Sequence, residues 1–305
     1  MNQLMLLQDP LPKPEVKPEF SPENTQENTS ENTPEYRPEF RPDSKAGEYE
    51  ATPDRLERRI FKAVGQAISD FNMIEEGDKI MVAVSGGKDS WVMLSILNDL
   101  KKRAPVDFEI IAVNLDQGYE GFETHIIEDY LIAEKIPYFM AEKNINKIVQ
   151  EKNKDGATWC SLCSRLRRGT LYGLAEKLNC NKIALGHHQD DMIETLLLNA
   201  FFIGRLGSMA PKLLADDGKN ILIRPLIYVL ESEIKKYTAI KKFPVVCCQC
   251  PLMCGETVHG DYKRRRVKQL LNTLEKEIPD IRNSLLASLK NVKPTHLLDK
   301  SLWNF

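Results

Sequence analysis

The residues best suited to chemistry fall in three short strings. The first, Ser85-Gly86-Gly87-Lys88-Asp89-Ser90, follows the apolar run Ile80-Met81-Val82-Ala83-Val84 and precedes a helical pattern. Two consecutive glycines let the backbone come close to a ligand and turn its amides toward it. The helix behind them presents its positive end, with Asp89 or Ser90 able to cap it. Lys88 supplies a point charge for a phosphate, and Ser85 and Ser90 supply hydroxyls. A plain strand–turn–helix link would accept Gly-Gly, but it has no need of Lys, Asp and two Ser around the pair. Pyrophosphate binding is therefore expected. The glycine spacing fits neither a Walker A loop nor Gly-x-Gly-x-x-Gly.

The second string is Leu185-Gly186-His187-His188-Gln189-Asp190-Asp191-Met192-Ile193-Glu194-Thr195. Gly186 is expected to admit a nucleotide or base at a strand end, and the adjacent carboxylates to hold Mg²⁺ against phosphates. The plainer account of Asp190 and Asp191 is a helix N-terminus, where the dipole favours acids. Neighbouring residues such as His187 and His188 rarely face one metal ion.

The third feature is cysteine. Of seven, six lie in two groups, Cys160/Cys163 and Cys247/Cys248/Cys250/Cys254, and Cys180 stands apart as a small hydrophobe would. Such grouping suits Zn or an iron–sulfur cluster, with a redox dithiol or persulfide site as the runner-up. The chemistry alone leaves zinc and iron–sulfur open. Arg165, Arg167 and Arg168 beside the first pair, and Lys263, Arg264, Arg265, Arg266 and Lys268 further on, are expected to meet RNA phosphates. A solvated helix face is the alternative for the second basic run.

Alternating elements must position these groups. Helical spacing covers 56–71, and strands are expected at 79–84, 108–115, 138–141, 182–185 and 221–225. Helices are expected between them at 90–102, 120–135, 171–178 and 191–203. This is the pattern of an α/β protein with a parallel, doubly wound, Rossmann-like sheet covered by helices on both faces. Ligands in such folds sit beyond the carboxyl ends of the strands, where the first two strings fall.

Composition sets the outer bounds. The chain has 305 residues and a formal net charge of −2, unevenly distributed. Residues 1–50 carry 5 basic and 11 acidic groups and 8 of the 17 prolines, so a disordered acidic tail is expected over 1–52. The rest is mildly basic, which leaves nucleic acid open as a partner. No apolar run is long enough to span a membrane, and no signal-peptide pattern opens the chain, so a cytoplasmic protein without membrane contact is expected.

Ser-Gly-Gly-Lys-Asp-Ser resembles the PP-loop of the N-type ATP pyrophosphatases, which have an adenine nucleotide alpha hydrolase-like fold. The Gly-His-x-x-Asp-Asp-x-x-Glu-Thr string resembles an element of their tRNA-modifying members. With Trp159-Cys160-Ser161-Leu162-Cys163, Phe243-Pro244-Val245-Val246 and Asn291-Val292-Lys293-Pro294-Thr295-His296, the chain from about residue 55 onward is similar to the tRNA 2-thiocytidine synthetase family. The resemblance implies one PP-loop domain over 53–305 with a helical, cysteine-containing C-terminal extension. It implies replacement of the C2 oxygen of tRNA cytidine 32 by sulfur, using ATP, Mg²⁺ and a 4Fe–4S cluster. A sulfur donor such as a cysteine desulfurase and a homodimeric state are part of the same implication. The implied ATP site comprises Ser85, Gly86, Gly87, Lys88, Asp89, Ser90, Asp116, Gly186 and Asp191, with Lys88 and Asp190 catalytic. Cys160, Cys163 and Cys250 are the implied cluster ligands. The second cysteine group is longer than the family's, so Cys248 and Cys254 compete with Cys250. Another PP-loop tRNA modifier, of 2-thiouridine or lysidine type, and a zinc-bound RNA module with a vestigial loop are the alternative functions.

Overall fold

The computed structural model describes residues 52–152, 159–250 and 262–303; at 159, 160 and 262 it describes the backbone alone. The expected tail, Cys254 and the Cys160 side chain lie outside the described residues. The described residues belong to one compact unit, Glu50–Phe305.

Six strands form one sheet among these residues: β1 (Asp78–Ala83), β2 (Phe108–Asp116), β3 (Tyr138–Glu142), β4 (Lys182–Ala184), β5 (Lys212–Leu214) and β6 (Ile221–Ile223). Their order is β3-β2-β1-β4-β6-β5. All neighbours pair in parallel except β5, which runs antiparallel to β6. The expected parallel, doubly wound sheet is therefore present, with one antiparallel strand added at its edge. Gly218, at φ +69°, lies in the short connection between β5 and β6.

Period-two alternation in β1 explains why helices cover both faces. Ile80 and Val82 point into a core shared with α1 (Pro53–Asp70), α2 (Lys88–Leu100), α3 (Thr124–Ala133) and α7 (Glu231–Lys241). Met81 points the other way, into a core closed by α4 (Ile145–Lys152) and α5 (Trp159–Lys177). A third cluster joins α6 (Gln189–Phe202) to α8 (Tyr262–Glu277) and α9 (Ile281–Ser288). Two 3-10 turns, Pro294–His296 and Lys300–Leu302, follow.

Two expected helices change their bounds and one helix is new. α5 begins at 159 rather than 171, because Leu162, Cys163 and Leu166 carry its first turns onto the second core despite Arg165, Arg167 and Arg168 among and after them. α3 is shorter than expected, with Gly118 and Gly121 ahead of it at positive φ. α4 was not expected at all. The chain winds outward from β1 through β2 to β3, and from β4 through β6 on the other side. The reversal lies between β1 and β4, and there the two expected ligand loops meet.

Candidate active site

The glycine loop is closed by a serine. The Ser90 hydroxyl donates to the Gly87 carbonyl at 2.8 Å and accepts the Ser85 amide at 3.2 Å. Gly87 is the N-cap of α2 and makes no side-chain cap, so neither Asp89 nor Ser90 has the capping role expected of it. The first-turn amides of α2 consequently remain available to an anion. Gly86 sits at φ +81°, and a Cβ there would stand 2.2 Å from Val246 Cγ2. The Gly86 carbonyl accepts the Val246 amide at 3.1 Å, and Trp91 Nε1 donates to the Pro244 carbonyl at 3.0 Å. The Phe243–Val246 segment is therefore the back wall of the loop.

Gly186 also has a packing role. The space beside its Cα is filled by the Asp89 carbonyl and the Ser90 amide, at 3.2–3.3 Å from where a Cβ would be. It lets the end of β4 pack onto the start of α2.

A chain of charges lines the loop. Lys88 Nζ lies 3.0 Å from Asp89 Oδ1 and 3.3 Å from Glu231 Oε1. Burial pushes the Lys88 ammonium down, but the carboxylates of Asp89 and Glu231 outweigh it and hold it above its ordinary value. For Glu231, burial is outweighed by Lys268 and Lys88, which bring it to about 2. Glu231 escaped the sequence reading; its position, opening a helix just after β6, was the available signal.

The two aspartates separate in role. Asp190 is buried and both its oxygens are engaged, one by Arg282 Nη1 at 2.5 Å and the other by the Glu231 amide at 2.7 Å. It ties α6 to α9 and to the start of α7. Asp191 accepts the His188 amide at 3.1 Å and lies 3.2 Å from Arg264 Nη1, which also reaches Glu194. Arg264, expected at the RNA surface, is half-buried against these two acids. His187 Nδ1 accepts from Arg224 Nε at 3.2 Å, and burial followed by the Arg224 charge brings its imidazole down to about 4. Arg224 is itself buried and, among the described residues, has no carboxylate partner.

Beyond β2 the chain turns at Asp116, whose Oδ1 accepts the Gly118 amide at 2.8 Å. The Tyr119 hydroxyl reaches Cys163 Sγ at 4.0 Å and lies beside Cys250. Cys163 donates to Gln117 Oε1 at 3.5 Å. Two of the three expected cluster ligands therefore meet at one tyrosine, and the third precedes Cys163 by one turn of α5. Cys250 follows the segment that backs the phosphate loop. Among the described residues, no three His, Cys, Asp or Glu side chains form a metal-binding group.

The PP-loop domain model matches residues 55–246. The chain is 53% identical over 247 residues to a tRNA-cytidine(32) 2-sulfurtransferase of Geotalea uraniireducens, an alignment covering 81% of this chain and 96% of that protein. The chain belongs to this family. A second member, from Citrifermentans bemidjiense, is 51% identical over 80% of this chain and 94% of its own. In fold the chain is similar to a U34-tRNA thiolase from Methanococcus maripaludis, solved with its 4Fe–4S cluster. That likeness has a TM-score of 0.62 at 22% identity and covers 79% of this chain and 81% of the other.

As a member of the PP-loop tRNA 2-sulfurtransferase family, the chain keeps further cations outside the loop. Arg165, Arg167 and Arg168 are exposed along α5. Lys263 is exposed on α8 and lies 5.1 Å over the Phe202 ring, with Arg265 also exposed. No helix among the described residues is long and apolar enough to cross a membrane.

Proposed function

We propose that the protein is an ATP-dependent sulfurtransferase that converts cytidine 32 of tRNA to 2-thiocytidine. One observation supports this above the rest: the segment backing the phosphate loop leads directly to Cys250, which meets Cys163 at Tyr119. Activation and sulfur delivery would then share one framework.

A cytosine C2 carbonyl is a weak electrophile with no useful leaving group. Adenylation of its oxygen makes AMP the leaving group, with pyrophosphate released. In this reading the α2 amides and Lys88 take the departing phosphates, a role that charge developing in the transition state rewards. Ser85, Gly86, Gly87 and Ser90 shape the loop. Asp89 and Asp191, both with some solvent exposure, hold Mg²⁺ against the phosphates. Asp190, with both oxygens engaged, serves catalysis by holding α6 and α7 in place. Asp116 fixes the turn that faces the adenosine side.

Cys160, Cys163 and Cys250 supply a soft thiolate set that fits iron–sulfur ligation. These three residues would hold a 4Fe–4S cluster, which would supply sulfur-binding and redox chemistry at the site. Arg165, Arg167, Arg168, Lys263 and Arg265 contact tRNA phosphates, while Arg264 acts from within the site by fixing Asp191. A cysteine desulfurase supplies sulfur, and the family resemblance favours a cytoplasmic homodimer.

The test is anaerobic incubation of the full chain with ATP, Mg²⁺, sulfide and unmodified tRNA, followed by nucleoside mass spectrometry. Formation of 2-thiocytidine with pyrophosphate release, lost in Cys163→Ala, is the expected result. Thiolation at a uridine, or none with any tRNA, overturns the assignment.

A further inference from the structure

The turn that carries Tyr119 is held more firmly than an exposed loop needs. Gly118 sits at φ +76°, and a Cβ there would meet Asn144 Oδ1 at 2.1 Å. The Gln117 carbonyl accepts the Asn146 amide at 2.9 Å, and the Gly118 carbonyl accepts Asn146 Nδ2 at 3.2 Å. With the bond from the Gly118 amide to Asp116, these contacts fix the turn on both sides. Its product is one half-buried hydroxyl aimed at two cysteine sulfurs that are far apart in sequence.

The two polar groups at those sulfurs differ in what they can serve. Gln117 Oε1 accepts from Cys163, so in this arrangement it suits a thiol. A phenol hydroxyl can donate, so it suits a thiolate. Such outer donors orient sulfur ligands, and by drawing charge from the sulfur they favour the reduced state of a cluster.

We infer that Tyr119 is a positioning residue for the thiolate site, its hydroxyl donating to a ligand sulfur of Cys163 or Cys250 and thereby raising the cluster's reduction potential. The inference rests on the cluster reading given above. It assigns Tyr119 no contact with ATP or with the reacting base.

The experiment compares wild type, Tyr119→Phe, Tyr119→His and Tyr138→Phe, each purified anaerobically as the full chain. Iron and sulfide content, an EPR-monitored redox titration and the rate of bleaching in air are read, with ATP binding as the check on folding. Tyr119→Phe is expected to bind ATP as wild type does, to titrate at a lower potential and to bleach several-fold faster. Tyr119→His, which keeps an N–H donor, moves back toward wild type. Tyr138, whose hydroxyl bonds Glu128 at 3.0 Å, serves as the control whose loss shifts nothing. Loss of iron from Tyr119→Phe with ATP binding intact is the same role at larger amplitude. Equal potentials and bleaching rates in wild type and Tyr119→Phe overturn the inference and leave the cluster reading standing. A wild type that takes up no iron removes both.

Discussion

The two ends of the sheet handle buried charge in opposite ways. At the amino ends of β1 and β4, Lys182 is 1% exposed and lies 2.6 Å from Asp78 Oδ2, with Glu75 at the same distance. Asn181 donates to the other Asp78 oxygen at 2.7 Å, and the Glu75 amide completes the set. At the carboxyl ends, Lys88 stands 3.0–3.3 Å from its acids and keeps some exposure, and Arg224 has an imidazole in place of a carboxylate. One end satisfies its charges internally and serves folding. The other leaves them loosely paired beside a loop of available amides, as an anion site requires.

Substitutions that cross this division give the sharpest contrast. Asp78→Ala leaves Lys182 with only the exposed Glu75, and should cost about 3–5 kcal/mol of stability in chemical denaturation. ATP binding by the folded fraction should be unchanged; a weakened nucleotide site would break the distinction. Lys88→Ala should do the reverse, slowing pyrophosphate release by about 10²–10³ while the melting midpoint stays near wild type. A large fall in stability would place Lys88 with the structural charges instead. Gly86→Ala meets both a positive φ and Val246, and should lose about 1–3 kcal/mol of stability. A Gly86→Ala/Val246→Ala double variant should recover part of that loss, and strict additivity would show that the two residues do not press on each other.

The smallest effect concerns pH. The His187 pKa falls from 6.5 to about 4 on folding, so the neutral ring is the form the fold favours. Its contribution to stability is present above pH 6.5 and is lost as the pH falls toward 4. A proton NMR titration should find the ring neutral down to about pH 4, whereas a midpoint near 6.5 would mean that the ring is not buried against Arg224.

The parts of this arrangement that sequence made legible are those set by local pattern. β1 reads as a strand because its middle residues are buried on both faces, and Gly86-Gly87 reads as a loop because Gly86 sits at a positive φ that few residues tolerate. The first turns of α5 were hidden because their arginines break the apolar stripe that marks a helix. The packing of Gly186 against α2 was not legible, because Asp89 and Ser90 lie almost a hundred residues earlier in the chain. Arg282, Glu231 and Tyr119 are ordinary residue types that gain a role only through partners distant along the chain. For Tyr119 the signal was its place just past the carboxyl end of β2, where such folds keep their ligands.

The wall behind the glycine loop also bears on the order in which the chain is made. The loop's own residues emerge early, yet Pro244, which receives the Trp91 indole, lies 153 residues later. Val246 follows it, and the second cysteine group begins at the next residue. A nascent chain therefore has no finished phosphate loop until the ribosome is about to deliver those cysteines. A fragment ending before residue 243 would lack the loop's support as well as the second cysteine group.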